Sequence, residues 1–546
     1  MNISIPLSLI ASPVLSMVLY WNSLHGGLIF DDHDVMGKLR TFKWTWKWWS
    51  TASRPLTVFS YAVTAAWPNT FRSVHVVNVL LHSLNGFVVE RLALIFGASP
   101  FQAFLICLLF IAHPFAVNCV AYITGRAAIL SALFGFLAAL AVLSDMAWLA
   151  LPLIGLSVIS KEDGIAFVPL VLALAWMNGY QWLVAMVLLC VIVWIKGQRQ
   201  LLVTLMSGTG DKGMRRIGLP LSIPQPWHGY TVFTETMIRL PFWFVGAKQS
   251  PYHGSGMKVP PFSRFLLAML VSLACLAVFW FQPIPTLFVL VGPWLVYIIA
   301  RVPDQLMEYR NYAMTAGFSL LFLSTSPFLL IPLILVLGSI ALLRAQAWRG
   351  PDTFWEAATR EFSGDPSRAW QELGACFKLK GDSPNAERCF RKAIELNPQL
   401  GPAMNNLAWV LTDQGRIDEG IAMMEQCVER CPEYALAWEE LGVLYERVGR
   451  DATHCYKKAL DCDPLGDRPA NRMGIVEFHR KNLERAAQWF DVALRMRPDH
   501  FEYIYNRAVV FRVSGKEQES QALFRRLPQP LPLTNDMIHP KAFQAC

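Results

Sequence analysis

The stretch HPFAVNCVAYITGRAAILSALF, residues 113–134, decides how the chain is read. An apolar run (100–113) leads into it and a second (127–144) leads out of it. Between them stand His113, Asn118, Tyr122, Thr124, Gly125 and Arg126. Two apolar runs joined by a short polar segment read as two membrane spans meeting at one face. The pattern recurs on either side. Further apolar runs lie near 5–22, 73–96, 147–160, 164–178, 181–196, 264–281, 284–300, 312–324 and 328–343, which makes about eleven spans. The segment 235–248, TETMIRLPFWFVGA, carries Glu235, Arg239 and Pro241 and reads as an interfacial or re-entrant helix.

Composition agrees. At 546 residues the chain is too long for one ordinary domain, and 54% hydrophobic residues, with 34 Phe and 20 Trp, point to a membrane protein. From about residue 350 the apolar runs stop and charges take over. The net charge of +8 comes without any Lys/Arg block, which argues against nucleic acid as a partner. Eleven cysteines are scattered, with no CxxC pair and no Cys/His spacing suited to zinc, so no metal site is expected from them. Cys427 and Cys431, four apart on one helix, suit neighbouring core positions at least as well as a bond. The first apolar run lacks a basic flank and an A-x-A cleavage site, and reads as a retained span.

Eleven spans place the long loops 23–72, 113–126, 197–263 and 301–311 on one face, with tight turns such as 97–99 and 178–180 on the other. The polar clusters all fall on the loop-rich face. FDDHD (30–34) puts Asp31, Asp32 and Asp34 just outside the first span, where ionisable groups need a reason to be. The bland reading is a solvated loop balanced by Lys38, Arg40 and Lys43. His75, Asn78 and His82 fall at i, i+3 and i+7, one stripe of a helix that faces protein or a cavity rather than lipid. Ser160–Gly164 (SKEDG), with Lys161 and Glu162, interrupts two apolar runs, and Asp304, Glu308, Tyr309, Arg310 and Tyr312 precede another. Basic groups converging beside carboxylates suit an anionic, phosphorylated substrate, although any one arginine here can equally be a snorkelling anchor.

The C-terminal part repeats. Prolines recur at 366, 398, 432, 464 and 498, in steps of 32 and 34. Gly374, Ala408, Gly442, Gly474 and Ala508 keep the same phase. A period near 34 with helix–turn–helix patterning is that of tetratricopeptide repeats, about five here. Stacked helix pairs make a groove for a peptide or protein segment, and Asn405, Asn406, Asn471 and Asn506 on the first helices suit a clamp on extended backbone. Read blandly, they are solvated positions. The tail 528–546 is Pro-rich and reads as a cap or disordered end. The expected organisation is all-α: a polytopic helical membrane domain (1–345), a tetratricopeptide solenoid (346–527) and the tail.

The membrane part resembles the GT-C superfamily of polytopic glycosyltransferases, most closely the transmembrane and tetratricopeptide-repeat O-mannosyltransferases and their bacterial relatives. The matching residues are FDD (30–32), RPLT (54–57), HVVNVLLH (75–82), residues 113–134, SKEDG (160–164) and MEYRNYAMTAGFSLL (307–321). The family tends to read ERYLY where this chain reads EYRNY (308–312), displacing the arginine by one position. The resemblance implies a polyprenyl-phosphate-linked sugar donor and a Ser/Thr hydroxyl of a protein as acceptor. Carried over, Asp31 or Asp32 is the base, with Asp31 slightly preferred. Arg54, Arg126, Lys161 and Arg310 meet the donor phosphate. Asp34, His75, His113, Glu162, Glu308 and Tyr312 support the site. Asn405, Asn406, Asn471 and Asn506 hold the acceptor. Inverting transfer to a hydroxyl needs a base and stabilisation of the leaving phosphate, and no cofactor. A lipid-diphosphate donor would recruit a divalent cation, for which the three aspartates are candidate ligands. That is the chemistry of a second reading, an oligosaccharyltransferase. A third, of another class, is a non-catalytic membrane scaffold with an interaction domain. The loop-rich face holds most Lys and Arg, which alone would make it cytosolic. The resemblance instead puts the site and repeats on the periplasmic or luminal side of a bacterial inner membrane or ER membrane.

Overall fold

A computed structural model of the protein describes residues 6–25, 54–65, 70–161, 164–165, 167–186, 234, 262–281, 312–361, 366–528, 534 and 536–538. Among these residues the chain is entirely helical. It divides into two compact units, the first running up to Ala369 and the second from Trp370.

In the first unit, helices α1 (Ser8–Tyr20), α2 (Pro55–Ala65), α3 (Thr70–Ile95), α4 (Pro100–Ala112), α5 (Arg126–Leu143), α6 (Ala150–Ser160), α7 (Phe167–Met177), α8 (Phe262–Phe281), α9 (Met314–Leu320), α10 (Pro327–Ala345) and α11 (Pro351–Glu361) follow in order. The entry to α4 shows why the chain turns where it does. Ser99 accepts a hydrogen bond from the Gln102 N–H, and Pro100 takes the first-turn position, where no N–H is needed. The middle of the bundle is α3, packed on α1, α4 and α5, with α5 packed on α6 and α7. Its seams are polar and small. Ser83 donates to Ser16, Ser157 to the Ser131 carbonyl, and Asn85 to the Ile129 carbonyl. Such pairs hold helices together where no hydrophobic drive separates protein from lipid.

Two helical stretches, Arg126–Leu143 and Pro327–Arg349, are long and apolar enough to cross a membrane. A third results if Pro100–Ala112 and Pro114–Val120, bent by 44°, form one span. Among the described residues two or three spans therefore stand where the sequence led us to expect about eleven along the whole chain. Ser8–Tyr20, Ala147–Ser160 and Phe167–Met177 are apolar helices but shorter than a span. The run at 312–324 contributes only the seven residues of α9 before a turn. The 26-residue α3 is long enough, but carries the polar stripe. Residues 187–196, 235–248 and 284–300 lie outside the described residues.

The second unit stacks five helix pairs among the described residues: α12 (Ser367–Leu379) with α13 (Ser383–Leu396), α14 (Gly401–Asp413) with α15 (Ile417–Arg430), α16 (Ala435–Arg447) with α17 (Thr453–Cys462), α18 (Asp467–His479) with α19 (Leu483–Met496), and α20 (Phe501–Val513) with α21 (Glu517–Phe524). The recurring small residues have a steric cause. A Cβ on Gly374, Gly442 or Gly474 would lie 2.7, 2.5 or 2.6 Å from the ring of Phe390, Tyr456 or Phe490 on the following helix. The turn inside each pair needs a left-handed residue. Gly381, Gly415, Gly449 and Gly515 supply it, and at the same phase Lys481 is forced to φ 63°.

Candidate functional site

The first unit gathers the sequence motifs at one end of the bundle. Arg126, which opens α5, is fully buried. Its Nε donates to Asn78 Oδ1 at 2.8 Å, Nη1 to the Ser60 carbonyl and Thr64 Oγ1 at 3.0 Å each, and Nη2 to the Val74 carbonyl at 2.6 Å. The guanidinium lies 4.6 Å from the centre of the Tyr61 ring. Tyr61 donates to the Ile123 carbonyl at 2.8 Å, and Asn78 to the Tyr122 carbonyl at 3.0 Å. Thr57, from RPLT, donates to the Ser160 carbonyl of SKEDG at 2.7 Å. Tyr312 pairs with His82 Nδ1 at 2.5 Å. Segments separated by up to 230 residues thus converge.

The glycines in these motifs are packing requirements. A Cβ on Gly125 would stand 2.1 Å from the Cys119 carbonyl oxygen, and one on Gly164 2.5 Å from that of Ser157. Through these bonds Arg126 ties α5 to α2 and α3. His113 also has structural work. Its Nδ1 accepts from the Phe115 N–H at 3.2 Å, and its ring stacks on Phe318 at 5.6 Å. His75 and Lys161 are buried, Lys161 capping the end of α6, while Arg54 is half-buried at the start of α2. Asp31, Asp32, Asp34, Glu162, Glu308 and Arg310 lie outside the described residues.

A cavity of about 330 Å³ opens beside this region, lined by Asn118, Arg344, Trp348, Thr353, Glu356 and Arg360 among others. Trp348 packs between Tyr122 (5.7 Å) and Phe354 (4.7 Å).

In the second unit a groove of about 510 Å³ runs along the first helices of the repeats. Its walls include Asn405, Asn406, Trp409, Glu440, Arg468 and Arg472. Counting back from the small residue of each repeat explains the stripe. Asn406, Glu440, Arg472 and Asn506 stand two positions before Ala408, Gly442, Gly474 and Ala508, and Asn405, Glu439 and Asn471 stand three before. Lys378 donates to Asn406 at 3.5 Å, and Asn405 Oδ1 is buried with no hydrogen bond. Arg468 pairs with Glu439 at 3.0 Å and Glu440 at 3.5 Å. Burial pushes the Glu439 carboxyl up to about 7. Arg468 opposes that rise, while Glu440 and Asp536 add to it. Burial raises Glu440 and Glu446 as well. Asn471 and Asn506 are already engaged, by the chain's own residues Asp536 and Ile538. The sequence reading missed Arg468, Arg472 and these tail residues. The repeat phase that places Asn406 and Asn506 also marks Glu440 and Arg472.

Family models match the repeat region. Residues 362–461 match the family model described as the Cilia and flagella-associated protein 70 middle TPR-like domain, and residues 449–501 the model described as Tetratricopeptide repeat. The chain is similar to Protein O-mannosyl-transferase Tmtc3 of Drosophila melanogaster, 29% identical over 24% of this chain and 14% of the relative. It is similar to human Protein O-mannosyl-transferase TMTC4, 28% identical over 22% of this chain and 20% of the relative. It is also similar to the human Mitochondrial import receptor subunit TOM70, 24% identical over 25% of this chain and 24% of the relative. The chain therefore spans a quarter or less of each of these relatives. The C-terminal part is a tetratricopeptide-repeat domain.

Proposed function

We propose that the protein is a membrane glycosyltransferase that moves a sugar from a polyprenyl-phosphate-linked donor to a Ser/Thr hydroxyl of a protein acceptor held by its repeats. Residues 1–345 would carry the chemistry and 346–527 the acceptor. The observation that carries the reading is the convergence at one bundle end of RPLT, HVVNVLLH, AYITGR and SKEDG, joined through Arg126, Asn78, Tyr61 and Thr57. Packing alone does not require so many long-range polar ties at a single end. A site whose loops must be held in register does. Similarity to two proteins named O-mannosyl-transferases supports the reading.

In this mechanism Asp31 or Asp32 removes the acceptor hydroxyl proton, since a serine hydroxyl is a weak nucleophile at neutral pH. Arg54, Lys161 and Arg310 stabilise the lipid phosphate as it leaves. Arg126 holds α2, α3 and the GR turn in place. The reaction would take place on the periplasmic or luminal face of a multi-pass membrane domain. The test is the intact mass of candidate acceptor proteins from cells carrying wild type, Asp31→Asn or Asp32→Asn. A sugar-sized mass that disappears with either variant supports the reading. Acceptor masses indifferent to both substitutions, with the variants inserted and folded, would overturn it.

A further inference from the structure

The stretch Thr534–Ile538, within a tail that reads as a cap or disordered end, places described residues inside the repeat groove. The Asp536 carbonyl accepts hydrogen bonds from Asn471 Nδ2 at 2.9 Å and Asn506 Nδ2 at 2.8 Å. The Ile538 N–H donates to Asn506 Oδ1 at 2.7 Å, and Asn506 Nδ2 also reaches Asn471 Oδ1 at 2.8 Å. One asparagine thus reads both a carbonyl and an amide of the same strand of backbone, the two-sided contact that a side-chain amide can make. The Asp536 carboxylate pairs with Arg472 at 2.7 Å and lies 4.0 Å from Arg468. Ile538 is fully buried and Met537 nearly so, in a cluster with Ile475, Phe478, Ile504, Tyr505 and Val509. Thr534 donates to Glu502.

These contacts have the anatomy of peptide recognition. Backbone is held by polar side chains, one charge meets a basic pair, and apolar side chains enter a pocket. A segment that only capped the solenoid would cover the outer face of its last helix, α21. The polar contacts of this one fall on α18 and α20, the first helices that line the groove, while its apolar pair joins a cluster that extends to Phe524 of α21. Beyond Asp536 the groove stays open towards Trp409 and Asn405.

We propose that the Asn471–Asn506–Arg472 end of the groove is a binding site for an extended segment bearing a carboxylate followed by two apolar residues. Thr534–Ile538 occupies it as an internal stand-in, so a partner protein segment of that chemistry binds by displacing the tail. The inference rests on the repeat domain and needs no sugar transfer. A tethered competitor acts at an effective concentration in the millimolar range, which masks the site from weak ligands.

The test uses the full-length protein in detergent and a fluorescent peptide copying residues 530–540. Asp536→Ala with Ile538→Asp removes the tail's ion pair and its most buried side chain. This variant should bind the peptide at least tenfold more tightly than wild type, and adding Asn506→Ala should reverse the gain. In wild type, millimolar peptide should speed hydrogen exchange of the Ile538 amide. That second measurement decides the matter if the double variant fails to fold. An Ile538 amide that stays protected at saturating peptide, or a folded double variant that binds no better than wild type, makes the tail a fixed cap and overturns the proposal. Because the readout is binding, failure here leaves the acceptor-mass experiment untouched.

Discussion

Asn78 and Arg126 meet at 2.8 Å, and through that contact α3 fixes the entry to α5. Asn78 turns its other end to the Tyr122 carbonyl, so one asparagine orders both the arginine and the turn before it.

Removing Arg126 should therefore cost stability before it costs anything else. Arg126→Ala leaves Asn78 Oδ1 without its partner, at about 1–3 kcal/mol, and takes one hydrogen bond each from Thr64 Oγ1 and the Ser60 and Val74 carbonyls. Arg126→Lys should recover part of this. Thermal denaturation in detergent reads the effect. Unchanged melting with lost sugar transfer would return Arg126 to the donor phosphate.

Lys481 holds φ 63° where the equivalent residues of four other repeats are glycine. Lys481→Gly should relieve strain of about 1 kcal/mol, visible as a severalfold gain in amide exchange protection of α18 and α19. Loss of protection would mean that the lysine side chain holds something that the backbone argument ignores.

Gly442→Ala should destabilise α16 against α17 by about 1–3 kcal/mol, since the new Cβ would fall 2.5 Å from the buried Tyr456 ring. Pairing it with Tyr456→Leu should recover much of that loss. The comparison of single and double variants by chemical unfolding gives the coupling. Additive losses would show that the two positions do not touch.

Glu439 binds a proton more tightly in the folded protein, where its carboxyl sits at about 7, than in the unfolded chain. Between roughly pH 4.5 and 7 the folded state then holds more protons, so stability falls as pH rises through this window. Glu440 and Glu446 are raised too, and act in the same direction. Glu439→Gln should flatten the slope and add on the order of 1 kcal/mol above pH 7. Melting of the repeats across this range checks it, and an unchanged slope would assign the effect to the other two acids.

The repeats were legible because their prolines and small residues keep phase, and three of the five small residues answer to a ring one helix away. The spans were less so. An apolar run does not say where a turn will cut it, as in α9, whereas the run at 73–96 stays unbroken in α3. The role of Arg126 was not legible at all, because half of its partners are backbone carbonyls, which no residue type announces. The contacts of the tail were not legible behind its prolines. Its hold lies in two backbone groups, the Asp536 carboxylate and the apolar pair Met537–Ile538.

The buried Arg126 also bears on biogenesis. A lone helix beginning at that arginine would enter the bilayer with its guanidinium wet, extended into interfacial water. In the finished bundle the same group is dry and wrapped by α2 and α3. If α5 is a membrane span, as proposed, dehydration of this one side chain accompanies its packing against α2 and α3.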